Sequence, residues 1–216
     1  MKNKSEGFRS LARLLAAAEK LYLTVVIGLI LPAAFLLAGW WGSLPFAQEE
    51  HIRTCALGGF LLGLALNLVF LKRWTLSALS APLVWPALIY LFYSVCVFGF
   101  FMGVPIGNFA LGPLGGYYMG MRLRHQGADA AASRHGAHAA GIFSALILTA
   151  FCAAALLLAS RDAYLAENIR GMLNLFIPIQ KSTILLLSFF TGIGLSVIEY
   201  FLTRAVVRFA LFEENH

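Results

Sequence analysis

The chain has 216 residues, of which 60% are hydrophobic and only 12% charged. That charged share is about half the usual one for a soluble domain, whose surface must face water, so a soluble globular fold is excluded. The formal net charge of +6 raises nucleic-acid binding, but the charges flank apolar runs, where membrane topology accounts for them; no nucleic-acid partner is expected.

Apolar runs of around 20 residues mark membrane crossings, and a lipid-exposed backbone must satisfy its hydrogen bonds internally, so each run reads as a helix. The sequence therefore predicts an all-α polytopic bundle of about six transmembrane helices. In chain order the spans fall near residues 21–42, 54–71, 83–103, 107–121, 142–160 and 183–205. Residues 1–20 form an amphipathic cytoplasmic segment, and 21–212 a single transmembrane domain. In FRSLARLLAAAEKL, Phe8, Leu11 and Leu15 share one face with Arg9, Arg13 and Lys20 opposite, as suits a helix lying on an anionic lipid surface.

Span 1 ends at Trp40 and Trp41, interfacial aromatics at the outer edge. Span 2 carries Gly59, Gly63 and Asn67 at four-residue steps, a small-residue row that admits a second helix closely. Trp74 marks the inner end of span 3. Arg73 and Arg122 then bracket 48 residues without a charge. As one helix that would be about 72 Å long, more than twice the hydrocarbon thickness, so the chain turns back inside it. The turn is expected at Pro105, Gly107 and Asn108, since proline fixes φ while glycine and asparagine tolerate positive φ.

Span 4 repeats the four-residue spacing with Gly112, Gly116 and Gly120, read as a packing groove. Pro113 falls early in the helix, where its missing N–H costs least. An Ala/His-rich loop is expected over residues 127–140. Within it His135 and His138 have ligand spacing but lack the further ligands of a zinc site, so no metal and no cofactor is expected. The outer loop 162–181 has room for an interfacial helix ended near Pro178. The three cysteines fall in or beside apolar spans and read as small buried hydrophobes.

Span 6 places Ser188, Gly192, Ser196, Glu199 and Thr203 on one helix face, small and polar throughout and carrying a carboxylate. Arg204 marks the inner boundary, so Glu199 lies about 7.5 Å inside it. Two readings of this residue stand side by side: a structural carboxylate that reaches the cytosol or a hydrogen bond, and a functional one facing a cavity. Asn67 and Tyr117 stand five residues before Lys72 and Arg122, the same offset as Glu199 from Arg204. The three are expected at one depth, with at least two of them close together, as a polar layer.

Twelve of the sixteen Lys and Arg residues fall on the side that holds both termini. Arg53, Arg161, Arg170 and Lys181 fall on the other. The positive-inside rule then puts both termini in the cytoplasm, in the inner membrane of a prokaryote.

Two stretches, GVPIGNFALGPLGGYYMGMR and TGIGLSVIEYFLTR, resemble segments of uncharacterised small polytopic membrane proteins of bacteria and archaea, a resemblance that implies no activity. In size and span count the chain also resembles the substrate-capturing components of energy-coupling-factor vitamin transporters, which carries over no residue. Three functions are weighed. The first is a small permease or solute-binding membrane subunit, with the bilayer and a small solute as partners. The second is a structural or assembly subunit using its glycine rows against a membrane-protein partner or a second copy. The last is an intramembrane enzyme.

Overall fold

A computed structural model describes residues 16–46, 48–101, 103–172 and 179–212. The chain is all-helical, 86% helix with no strand among the described residues. The helices are α1 (Ala16–Ser43), α2 (Glu49–Ser77), α3 (Val84–Phe100), α4 (Leu111–His125), α5 (Ala130–Arg161), α6 (Leu165–Met172) and α7 (Lys181–Phe212). Four of these, α1, α2, α5 and α7, are long and apolar enough to cross a membrane. Large apolar side chains are exposed along them, among them Leu57, Leu61 and Leu68 on α2 and Leu187, Phe190, Val197 and Phe201 on α7. Such faces are stable against lipid and not against water, so this is a multi-pass membrane protein. Residues 1–15 of the amphipathic segment 1–20, and Pro178, lie outside the described residues.

By internal contacts the chain divides into two compact units between Ala81 and Pro82. The first is the α1–α2 hairpin. Pro32, buried inside α1, has no N–H to offer the Gly28 carbonyl, and the helix is interrupted at Leu29 before it resumes. The two helices pack antiparallel and close. A side chain on Gly59 would strike the Phe35 carbonyl, one on Gly63 the Leu31 carbonyl, and one on Gly39 the Cys55 carbonyl. Farther along, Asn67 puts its amide nitrogen beside Gly28. The row Gly59, Gly63, Asn67 thus faces a second row on α1.

In the second unit α3 packs antiparallel to α4. Gly103 takes φ +84° and its N–H bonds to the Phe98 carbonyl, closing α3. A 3₁₀ turn, Asn108–Ala110, leads directly into α4. Gly107 lies against Val97 and Phe101, Gly115 under the ring of Tyr90, and buried Asn108 donates from Nδ2 to the Ser94 carbonyl at 2.8 Å. Asn108 is therefore a tie between helices rather than a turn residue alone, and Pro105 accepts its backbone N–H at 3.1 Å.

Residues 127–140, expected as a loop, are mostly the start of α5. Gly127 adopts φ +62°, its N–H bonds to the Arg124 carbonyl and that of Ala128 to Leu123, a paired closure of α4. Asp129 then caps α5, accepting from the Ala132 N–H at 2.7 Å. Two caps two residues apart leave no length for a loop. At the far end Lys181 donates to the carbonyls of Ser160 and Asp162 at 2.8 and 2.7 Å, joining the ends of α5 and α7 across α6.

Candidate functional site

The polar face read on the last span is the seam of the second unit. Along α7, Gly192 lies against Cys152 of α5, and Ser196 accepts from Thr149 at 2.9 Å while donating to the Gly192 carbonyl. Next come Glu199 against Gly112, Thr203 against Gly116, and Val207 with Ala210 against Gly120. Each four-residue step on α4 meets a four-residue step on α7, so the two helices run parallel in constant register. Ser188, at the start of that face, is exposed. The glycine row of α4 has no side chains because α7 occupies the space: a Cβ on Gly120 would stand 2.5 Å from that of Ala210.

This register changes the expected layer. Glu199 is level with Gly112, and Tyr117 falls about a turn farther along, level with Arg204 and half-buried. The common depth expected for Tyr117 and Glu199 does not hold along this pair, because counting back from each flanking arginine ignores how far each helix projects past the bilayer. Asn67 lies in the first unit beside Gly28, buried, with Oδ1 unbonded among the described residues.

Glu199 itself is fully buried, 0% exposed. Its carboxylate lies against the backbone of Gly112 in the first turn of α4, whose N–H is aimed at it, and no side chain bonds to either oxygen among the described residues. The reading in which this side chain reaches the cytosol is overturned by that burial. Around it stand Thr203 and Ser144, 1% and 2% exposed, joined Oγ1 to Oγ at 2.9 Å. Ser144 also donates to the Gly141 carbonyl at 3.2 Å. From α3 the ring of Tyr90 packs over Gly115, three residues on from Gly112. A buried carboxylate costs several kcal/mol unless it is compensated.

A second polar cluster adjoins the first. His138 Nδ1 and the Tyr200 hydroxyl are 2.8 Å apart, and Arg204 donates from a terminal nitrogen to the same hydroxyl at 3.1 Å. His138 therefore engages a phenol, while His135 is exposed. No group of three metal-ligating side chains occurs among the described residues. The cysteines are free thiols, with Cys55 exposed and Cys96 and Cys152 half-buried.

Ser144 and Tyr90 were not singled out from the sequence. The signal for Ser144 was present: Ala137, Gly141, Ser144, Leu148 and Cys152 step by four, three, four and four along α5, the same small-residue rhythm as α7. Tyr90 gave none, since an aromatic in an apolar span ordinarily faces lipid or a core.

These features define a multi-pass helical membrane protein with a buried carboxylate at a three-helix seam. Comparison with family models, curated proteins and solved structures finds no match to the chain.

Proposed function

We propose that the protein is a small permease or solute-binding membrane subunit, and that Glu199 is the charged group of its site. The observation that carries this reading is the fully buried Glu199 carboxylate, without a side-chain partner among the described residues, where α4, α5 and α7 meet. Intramembrane carboxylates are expensive and mark ion or substrate pathways. Helix starts aimed at a polar group accompany many transport sites, and the first turn of α4, at Gly112, lies against the Glu199 carboxylate. The glycine rows at Gly59, Gly63, Gly112, Gly116 and Gly120 are filled by neighbouring helices within the fold, which removes them as support for an assembly subunit.

In this reading the chain crosses the inner membrane of a prokaryote six times, with both termini cytoplasmic. Helix α3 spans about 25 Å and the 3₁₀ turn with α4 about 28 Å, close to a bilayer's hydrocarbon thickness. The antiparallel order of α3 with α4 and of α5 with α7 supports alternate crossings, and the Lys and Arg distribution supports the orientation.

Native mass spectrometry of protein gently released from its own membrane tests the function. The expected spectrum shows a small-molecule adduct that is absent from Glu199→Gln. A stoichiometric protein partner with no such adduct would replace this reading with the assembly subunit.

A further inference from the structure

The groups that face Glu199 within its own unit decide which ion it takes. From α3 comes Tyr90, whose ring packs over Gly115, three residues on from Gly112. From α4 comes the backbone of Gly112, in the first turn, where N–H groups point outward from the positive end of the helix dipole. From α5 comes the Ser144 hydroxyl, and α7 itself contributes Thr203 one turn on. Arg204 and Tyr200 of α7 are bonded to each other, with His138 of α5 on the same phenol. No cationic side chain bonds to Glu199 among the described residues.

We infer that Glu199 binds a proton, in preference to a metal or organic cation, and that this proton is the ion the site takes up and returns. The inference rests on the reading of Glu199 as a functional carboxylate. A metal cation needs several acceptor oxygens and is repelled by a helix N-terminus; Glu199 stands at such a terminus, and no cluster of metal-ligating side chains stands with it among the described residues. The hydroxyl chain supplies the one acceptor that a protonated carboxyl requires. Ser144 spends its proton on the Gly141 carbonyl, so Thr203 donates to Ser144, and Thr203 Oγ1 keeps its lone pairs free. A Cβ on Gly112 would stand 2.6 Å from that oxygen and closer still to the carboxylate, so both border one small space. Protonation turns the carboxylate into a carboxylic acid whose O–H donates to Thr203 Oγ1, completing a run of donors that ends at Gly141. Release returns the proton to water and leaves the carboxylate against the Gly112 N–H end of α4.

Infrared difference spectroscopy of the full-length protein in liposomes, between alkaline and acidic buffer, tests this. The expected spectrum contains a carboxylic-acid carbonyl band that shifts down in D₂O, disappears in Glu199→Gln and shifts up in Thr203→Val as the acceptor is lost. Glu199→Asp, which retains an acid, keeps a displaced band and guards against a Gln variant that fails to fold. Carboxylate bands from Glu199 across the whole pH range would overturn the inference. So would an acid band that sodium or potassium chloride abolishes, which would assign the site to a metal cation. If the acid band is present while native mass spectra show no Glu199-dependent adduct, the proton assignment stands and the solute site falls.

Discussion

At the level of single residues, the second unit is held by a few polar ties in apolar surroundings. Asn108 fastens the entry of α4 to the Ser94 carbonyl, and its buried amide has no water to fall back on. Asn108→Ala is expected to cost about 1 kcal/mol, read as a lower thermal midpoint in mild detergent. Thr203→Val should cost a similar amount or less, because Ser144 retains its bond to Gly141. Asn108 shows how far sequence reasoning reached: the residue was marked, but for the φ tolerance of its backbone, and the partner of its side chain lies fourteen positions away, where no local pattern points. The carboxylate, by contrast, was legible because a charge in an apolar helix has few explanations. Its burial against Gly112 was not, since that depends on helix register.

Glycine positions distinguish helix faces at the level of elements. Neighbouring Gly58 and Gly59 make the contrast: a Cβ on Gly58 meets nothing within 4 Å, while one on Gly59 collides with the Phe35 carbonyl. Gly58→Ala should be neutral or stabilising by up to about 0.5–1 kcal/mol, and Gly59→Ala destabilising by about 1–3 kcal/mol. Equal effects from the two would contradict the α1–α2 packing. The α5–α7 register has its own check. A Cβ on Gly192 would lie 3.2 Å from that of Cys152, near the separation a disulfide spans. With Cys55 and Cys96 replaced by serine, Gly192→Cys is expected to form an intramolecular disulfide on mild oxidation, seen as a two-dalton mass loss and blocked thiol labelling. The small-residue rows were legible as faces; their partners were not, because spacing names a groove without naming what fills it. The loop assigned to residues 127–140 failed for a different reason. Gly127 and Asp129 were both in view, yet an Ala- and His-rich composition outweighed a C-cap and an N-cap standing two residues apart.

For the molecule as a whole, composition was enough to set the environment, and the exposed apolar faces agree with it. Counting crossings was harder. Helices α1, α2, α5 and α7 extend beyond the spans read from hydropathy, because a helix does not stop where its side chains become polar; α2, for instance, continues past Lys72 and Arg73 to Ser77. Impermeant thiol reagents on single cysteines placed at residue 3 and residue 215 should label both from the cytoplasmic face, and a cysteine at position 168 only from the outer face. Opposite labelling of the two termini would remove the six-crossing arrangement.

The proposed role of Glu199 as the charged group of a site implies that the residue is kept at a cost to stability. The thermal unfolding midpoint of Glu199→Gln beside the unaltered protein, in the same detergent, tests that most directly. Glutamine has nearly the same shape and no charge to bury, so the midpoint should be unchanged or higher. A midpoint lowered by several degrees would mean that the carboxylate braces the fold, and would contradict the functional role assigned to it.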